Sequence, residues 1–272
     1  MSPFDGIRDR IERAIAHREA LAEIWNNLVE KHLYDVFVDV KDDGTGTICV
    51  HPSDDLPASC ALELGETLYH LRAALDGSIY QAAIIESGQD PPPHENRLEF
   101  PICSRPTEFR DSAWKIQPLS QQCRTFIESI QPYNAPKQLS PELVILNMNR
   151  SLWILNDWAR KDRHRQLHVV CSWASNASPM VHFPPGVMLK SIRVSGDGFL
   201  ENHREIASFR LAGYVPGMKV EANPNLMIDV AVNEIPKPAA DNDTLGERLK
   251  QMVVAVRFVV GALEAIALGK AA

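Results

Sequence analysis

Residues 34–51 read YDVFVDVKDDGTGTICVH. Val36, Val38 and Val40 alternate with Asp35, Asp39 and Lys41. The run Asp42-Asp43-Gly44-Thr45-Gly46 supplies a turn, and 47–51 return. A two-residue period around a Gly-containing turn predicts a β-hairpin. On both sides of it the period becomes helical. Over 3–33, Ile7, Ile11, Ala14, Ile15, Leu21, Trp25 and Leu28 recur at helical spacing. Ser2, Pro3 and Asp5 form a cap, because a serine oxygen accepts an orphan amide and proline has none to lose. A second helix over 58–87 carries the stripe Leu64, Leu68, Leu71, Leu75 and Ile79 and ends at Gly88. A third opens at Ser140-Pro141-Glu142 and runs over 141–167. A fourth runs from the capping box Thr244-Leu245-Gly246-Glu247 to 268.

From 168 to 232 short strands are expected at 168–173, 179–183, 188–195, 204–211, 218–222 and 226–232. Turn signals at Pro184-Pro185-Gly186, Ser195-Gly196-Asp197-Gly198 and Pro216-Gly217 separate them. The order predicts an α+β fold: a helical bundle with a β-hairpin and a C-terminal antiparallel sheet. Residues 1–167 are the helical region carrying the hairpin 34–51. Residues 168–272 are the sheet plus a C-terminal helix that packs back on the bundle, giving one compact unit. The connection 88–140 is rich in Pro, Ser and Gln, with a helix expected near 118–130; it is either a lid or a packed wrapping segment.

The chain has 272 residues, 45% hydrophobic and 23% charged, with a formal net charge of −7. That composition is globular and excludes a generally basic nucleic-acid coat. Five cysteines (Cys49, Cys60, Cys103, Cys123 and Cys171) lie at wide spacings with no C-x-x-C. Neither a disulfide framework nor a structural zinc site is expected, and reduced thiols fit a cytoplasmic chain. The start MSPFDGIRDRIER lacks the apolar core of a secretory signal. The apolar run 252–268 contains Arg257 and Glu264 and falls short of the ~20 residues of a membrane span. It is expected to be a buried central helix or a homodimer interface over 244–268. No glycine fingerprint follows a strand, and no P-loop lysine or G-x-S-x-G elbow occurs, so dinucleotide, P-loop and hydrolase-elbow chemistry are disfavoured.

Two segments carry candidate chemistry. Residues 64–76, LGETLYHLRAALD, place Arg72 and Asp76 one helical turn apart, where they can pair. Residues 156–168, NDWARKDRHRQLH, belong to a basic cluster. Arg150, Arg160, Lys161, Arg163 and Arg165 face only Asp157 and Asp162, a local +3 in an acidic chain. Guanidinium forks suit phosphate, and basic side chains also suit a helix C-terminus. His164 and His168 are four apart, but no acid completes an H-E-x-x-H pattern. No metal and no cofactor is expected, and the remaining histidines, His17 and His70 among them, are scattered.

These segments, with Phe100-Pro101-Ile102 and Gln131-Pro132-Tyr133 between them, resemble an uncharacterised bacterial family with the pattern LGxxLxxLRxALDH, FPI, QPY and DKHR. Gly77 stands where that pattern has His, and Arg163 where it has Lys. The family's helix is similar to the motif of the HEPN superfamily of helical ribonucleases. There an Arg stabilises developing phosphate charge and a nearby His assists proton transfer, without metal. The resemblance implies RNA binding or metal-independent RNA cleavage. If the helices over 58–87 and 141–167 pack side by side, Arg72, Asp76 and His164 would form the catalytic group, with His164 in place of the histidine missing at Gly77, and Arg160, Arg163 and Arg165 would hold phosphate. The alternative is a non-enzymatic ligand-binding or assembly protein in which Arg72–Asp162 and Asp76–Arg165 clamp two helices. A third expectation is a small-molecule enzyme with 88–140 as its lid.

Overall fold

The computed structural model describes residues 2–30, 34–53, 56–135, 145–164, 169–175, 177–200, 203–232 and 244–269. Their contacts define two units, and these do not follow chain order. One comprises Met1–Ala22, Ala61–Leu167 and Gly246–Ala272; the other comprises Glu23–Cys60 and His168–Leu245. The hairpin thus shares a unit with the later strands, and the C-terminal helix shares one with the earlier helices. The fold class is α+β, as the periodicities predict.

In the helical unit, α1 (Asp5–Val29) starts where expected. Ser2 Oγ accepts from the Phe4 amide at 3.2 Å, and Asp5 accepts from the Ser2 amide at 2.7 Å, a reciprocal cap. The helix α2 (Ala58–Ser87) buries the whole Leu64-to-Ile79 stripe together with Ala74, Ala82 and Ala83. Gly88, at φ +66°, stops it: its amide caps the Ile84 carbonyl at 2.8 Å in a conformation side chains disfavour.

The 88–135 stretch consists of short helices and turns. These include α3 (Pro106–Ser112) and α4 (Gln121–Ser129), the latter inside the expected 118–130. Ser120 caps α4 and is itself gripped by Glu86 of α2 through its amide (2.5 Å) and hydroxyl (2.6 Å). In α5 (Ile145–His164), Met148, Leu152, Leu155 and Ala159 line the buried face, with Trp158 beside them. In α6 (Leu245–Ala267), the buried residues include Leu249, Met252, Val253, Val256, Val259, Val260 and Leu263. One face of the apolar run 252–268 is therefore core of the helical unit. No described helix is long and apolar enough to cross a membrane.

The second unit is built on the hairpin. Strands β1 (Tyr34–Val40) and β2 (Thr45–Pro52) pair antiparallel from Tyr34↔Pro52 to Val40↔Gly46. The expected strands follow as β3 (Val169–Ser175), β4 (Met180–His182), β5 (Met188–Val194), β7 (Arg204–Ala212), β8 (Glu221–Asn223) and β9 (Met227–Val232). A two-residue β6 (Gly198–Phe199) forms where a turn alone was predicted, being too short to show a period. The main sheet has order β1-β2-β7-β5, with β6-β3-β9 and β4-β8 as smaller sheets, all antiparallel. Ile48 and Val50 of β2 pack with Val187, Leu200, Ile206, Phe209 and Leu211 in its core. The alternation in 47–51 was that core's sequence signature.

Candidate functional site

The segments that carry the family resemblance meet one another inside the helical unit. Arg72 is only 7% exposed. Its Nη2 donates to the Phe100 carbonyl at 2.6 Å and to Glu99 Oε1 at 3.0 Å, and lies 3.1 Å from Asp76 Oδ1. Nη1 is buried without a hydrogen-bond partner. Asp76 in turn accepts the Phe100 amide at 2.9 Å. One turn of α2 thus holds both backbone groups of Phe100, whose ring is fully buried. Lys115 closes the network on Glu99 Oε2 at 2.5 Å. Burial pushes the Asp76 carboxyl above its ordinary value, against the pull of Arg72 and the Phe100 amide. Burial pushes Glu99 the same way, but Lys115 and Arg72 outweigh it and hold this carboxyl below the usual range.

Gln131 does the same for the next residues. Its side chain is fully buried. Oε1 accepts from the Cys103 amide at 2.8 Å, and Nε2 donates to the carbonyls of Pro101 and Ile127, both at 2.9 Å. The Gln131 carbonyl accepts from Asn149 Nδ2 of α5 at 2.8 Å. The segments FPI and QPY are therefore two ends of one backbone lock. The fourth segment touches α2 as well: a Cβ on Gly65 would meet Asp162 Oδ2 at 2.9 Å, so glycine there lets α5 approach.

The expected catalytic residues therefore stand as follows. Arg72 and Asp76 are paired and face the 99–100 backbone. Arg72 does not clamp Asp162, which lies at Gly65, about 10 Å along the helix from Arg72. His164 ends α5, and its side chain lies outside the described residues, as does Arg165. Of the expected phosphate ligands, Arg160 and Arg163 are exposed. Arg160 touches Asp157 at 3.4 Å, and Lys161 pairs with the same carboxylate at 2.8 Å. The basic end of α5 is thus partly neutralised from within.

A second cluster joins α1 to α2. His17 Nδ1 and Glu63 Oε2 share a hydrogen bond of 2.7 Å. The His17 and His70 rings stack at 5.6 Å with 13° between planes, and Glu66 Oε2 lies 3.9 Å from His70 Nε2. His70 Nδ1 is buried without a hydrogen-bond partner. Burial first, then the neighbouring His17, holds the His70 imidazole below its ordinary value, so its neutral form is favoured. The sequence reading missed this cluster, although Glu63, Glu66 and His70 already stand at i, i+3 and i+7 on one helix face.

No family model, curated protein or solved structure matches the chain.

Proposed function

We propose that this chain is a ligand-binding protein rather than a metal-independent ribonuclease, and that its Arg72 and Asp76 hold the fold. The observation that carries this reading is the near-complete burial of Arg72 against Asp76, Glu99 and the Phe100 carbonyl. An arginine that stabilises phosphate in a transition state must reach a visiting oxygen. Here three protein oxygens already converge on its Nη2. The test is incubation of the full chain with single-stranded RNA in chelator, alongside Arg72→Met. Background cleavage by both proteins and a lowered melting temperature for R72M support the reading. Cleavage by the wild type that a folded R72M loses overturns it.

Exposure of Arg160 and Arg163 favours a second reading, a HEPN-like module that binds RNA or another phosphate-bearing partner at the end of α5 without cutting it. Binding would then weaken with salt, and R160A/R163A would flatten the slope by ~0.7 per phosphate contact removed. Absence of RNA binding at low salt excludes this reading. A homodimer through 244–268 would use Val254 and Phe258, which α6 leaves exposed; sedimentation of V254E/F258E against the wild type decides it.

A further inference from the structure

We propose that His17, Glu66 and His70 form a binding site for a divalent transition-metal ion of the zinc type, with Glu63 as the residue that positions His17. This names a ligand for the binding reading and rests on it for that role alone, since its geometry is independent of Arg72.

Three observations support the site. The first is proximity: one ligand atom from each of His17, Glu66 and His70 lies within 4.8 Å of the others. Ligands of a tetrahedral zinc ion sit ~3.4 Å apart, as bonds of 2.0–2.1 Å require. Side-chain rotation would bring the set to that spacing, and Glu66 is half exposed.

The second is the pairing of His17 with Glu63. A carboxylate on Nδ1 fixes the proton there and leaves the Nε2 lone pair free, the carboxylate–histidine arrangement that orients metal ligands. The third is the buried, unpartnered Nδ1 of His70. A buried polar nitrogen left unsatisfied is costly, and coordination at Nδ1 would remove that cost.

The placement follows from helix geometry. Glu63, Glu66 and His70 share one face of α2, and α1 brings His17 against it. Two imidazoles and a carboxylate suit Zn²⁺ and its first-row neighbours better than Ca²⁺ or Mg²⁺, which take oxygen ligands. Arg10 and Arg13 on α1 also act on His70 and oppose a cation; Glu66 at the site and Glu63 behind it supply the compensating charge. Three protein ligands leave a fourth position for water or a small anion.

The test uses the full chain stripped with chelator and titrated with Zn²⁺ against a chromophoric competitor, then with Co²⁺ by visible absorption. One tight equivalent is expected, with no thiolate-to-cobalt band. H17Q and H70Q should each weaken it roughly 100-fold or more, and E63Q by about 10–100-fold at unchanged stoichiometry. R72M should bind with wild-type affinity, so this proposal and the structural reading of Arg72 fail separately. If H17Q or H70Q does not fold, Zn²⁺ protection of His17 and His70 from acylation in the wild type takes its place. Absence of stoichiometric binding, a thiolate band, or unchanged affinity in the histidine variants overturns the proposal.

Discussion

Gln131→Ala tests the backbone lock most sharply. The substitution removes three hydrogen bonds from a fully buried side chain. It strands the Cys103 amide and the Pro101 carbonyl; the Ile127 carbonyl also loses a partner. At about 1 kcal/mol net per bond, the loss is ~3 kcal/mol before packing. One buried methylene, Cγ, adds ~0.8 kcal/mol. The expected destabilisation is therefore about 3–5 kcal/mol, read as a lower urea midpoint for the transition reported by helix circular dichroism. Gln131→Glu sharpens the test. Its carboxylate would face the Pro101 and Ile127 carbonyls, so the folded state favours its protonated form and raises its pKa. A group raised on folding loses its stability as pH rises through the folded value, so Q131E should be least damaged in acid. A Q131A unfolding free energy within about 0.5 kcal/mol of wild type refutes the lock.

Glu99→Gln should lower stability at neutral pH, and its deficit against wild type should shrink as pH falls. The Glu99 carboxyl is held below its ordinary 4.5, so its stabilisation is present above that value and is lost as pH drops through the folded one. Melting curves from pH 7 to pH 3 give the difference, and a pH-independent deficit contradicts the network. Burial, with Glu86 alongside, pushes the Cys123 thiol up to about 12. Mass spectrometry after alkylation at pH 8 should find Cys123 unmodified in the native chain and modified in urea. Glu264 forms a two-point contact with Arg8, both bonds 3.1 Å, and accepts from Ser2 at 2.5 Å. Glu264→Ala should cost about 1 kcal/mol and leave the α2 lock unchanged.

Local pattern carried most of the fold. The bounds of α2 and the hairpin followed from the leucine stripe and the valine alternation, because both are periods of a single element. The gathering of strands into a unit with the hairpin was not legible, since β2 pairs with β7 across more than 150 residues of chain. The site divides in the same way. The segments 64–76, 100–102 and 131–133 stood out, but their mutual purpose did not: Arg72 finds its partner at Glu99 and Gln131 finds its own at Pro101 and Cys103. Arg72 and Asp76 read as an isolated pair because nothing local reveals the backbone they hold. His17 and His70 stand 53 positions apart and meet only once α1 lies on α2.

The most direct measurement is native-state hydrogen exchange at the Phe100 amide, with RNA cleavage followed on the same samples. In the wild type this amide should be strongly protected, held by Asp76 beneath a buried Arg72. R72M should lose much of that protection while the absence of cleavage stays unchanged. Full protection in R72M, together with a wild-type ribonuclease activity that R72M lacks, would mean that Arg72 serves a substrate and not the fold.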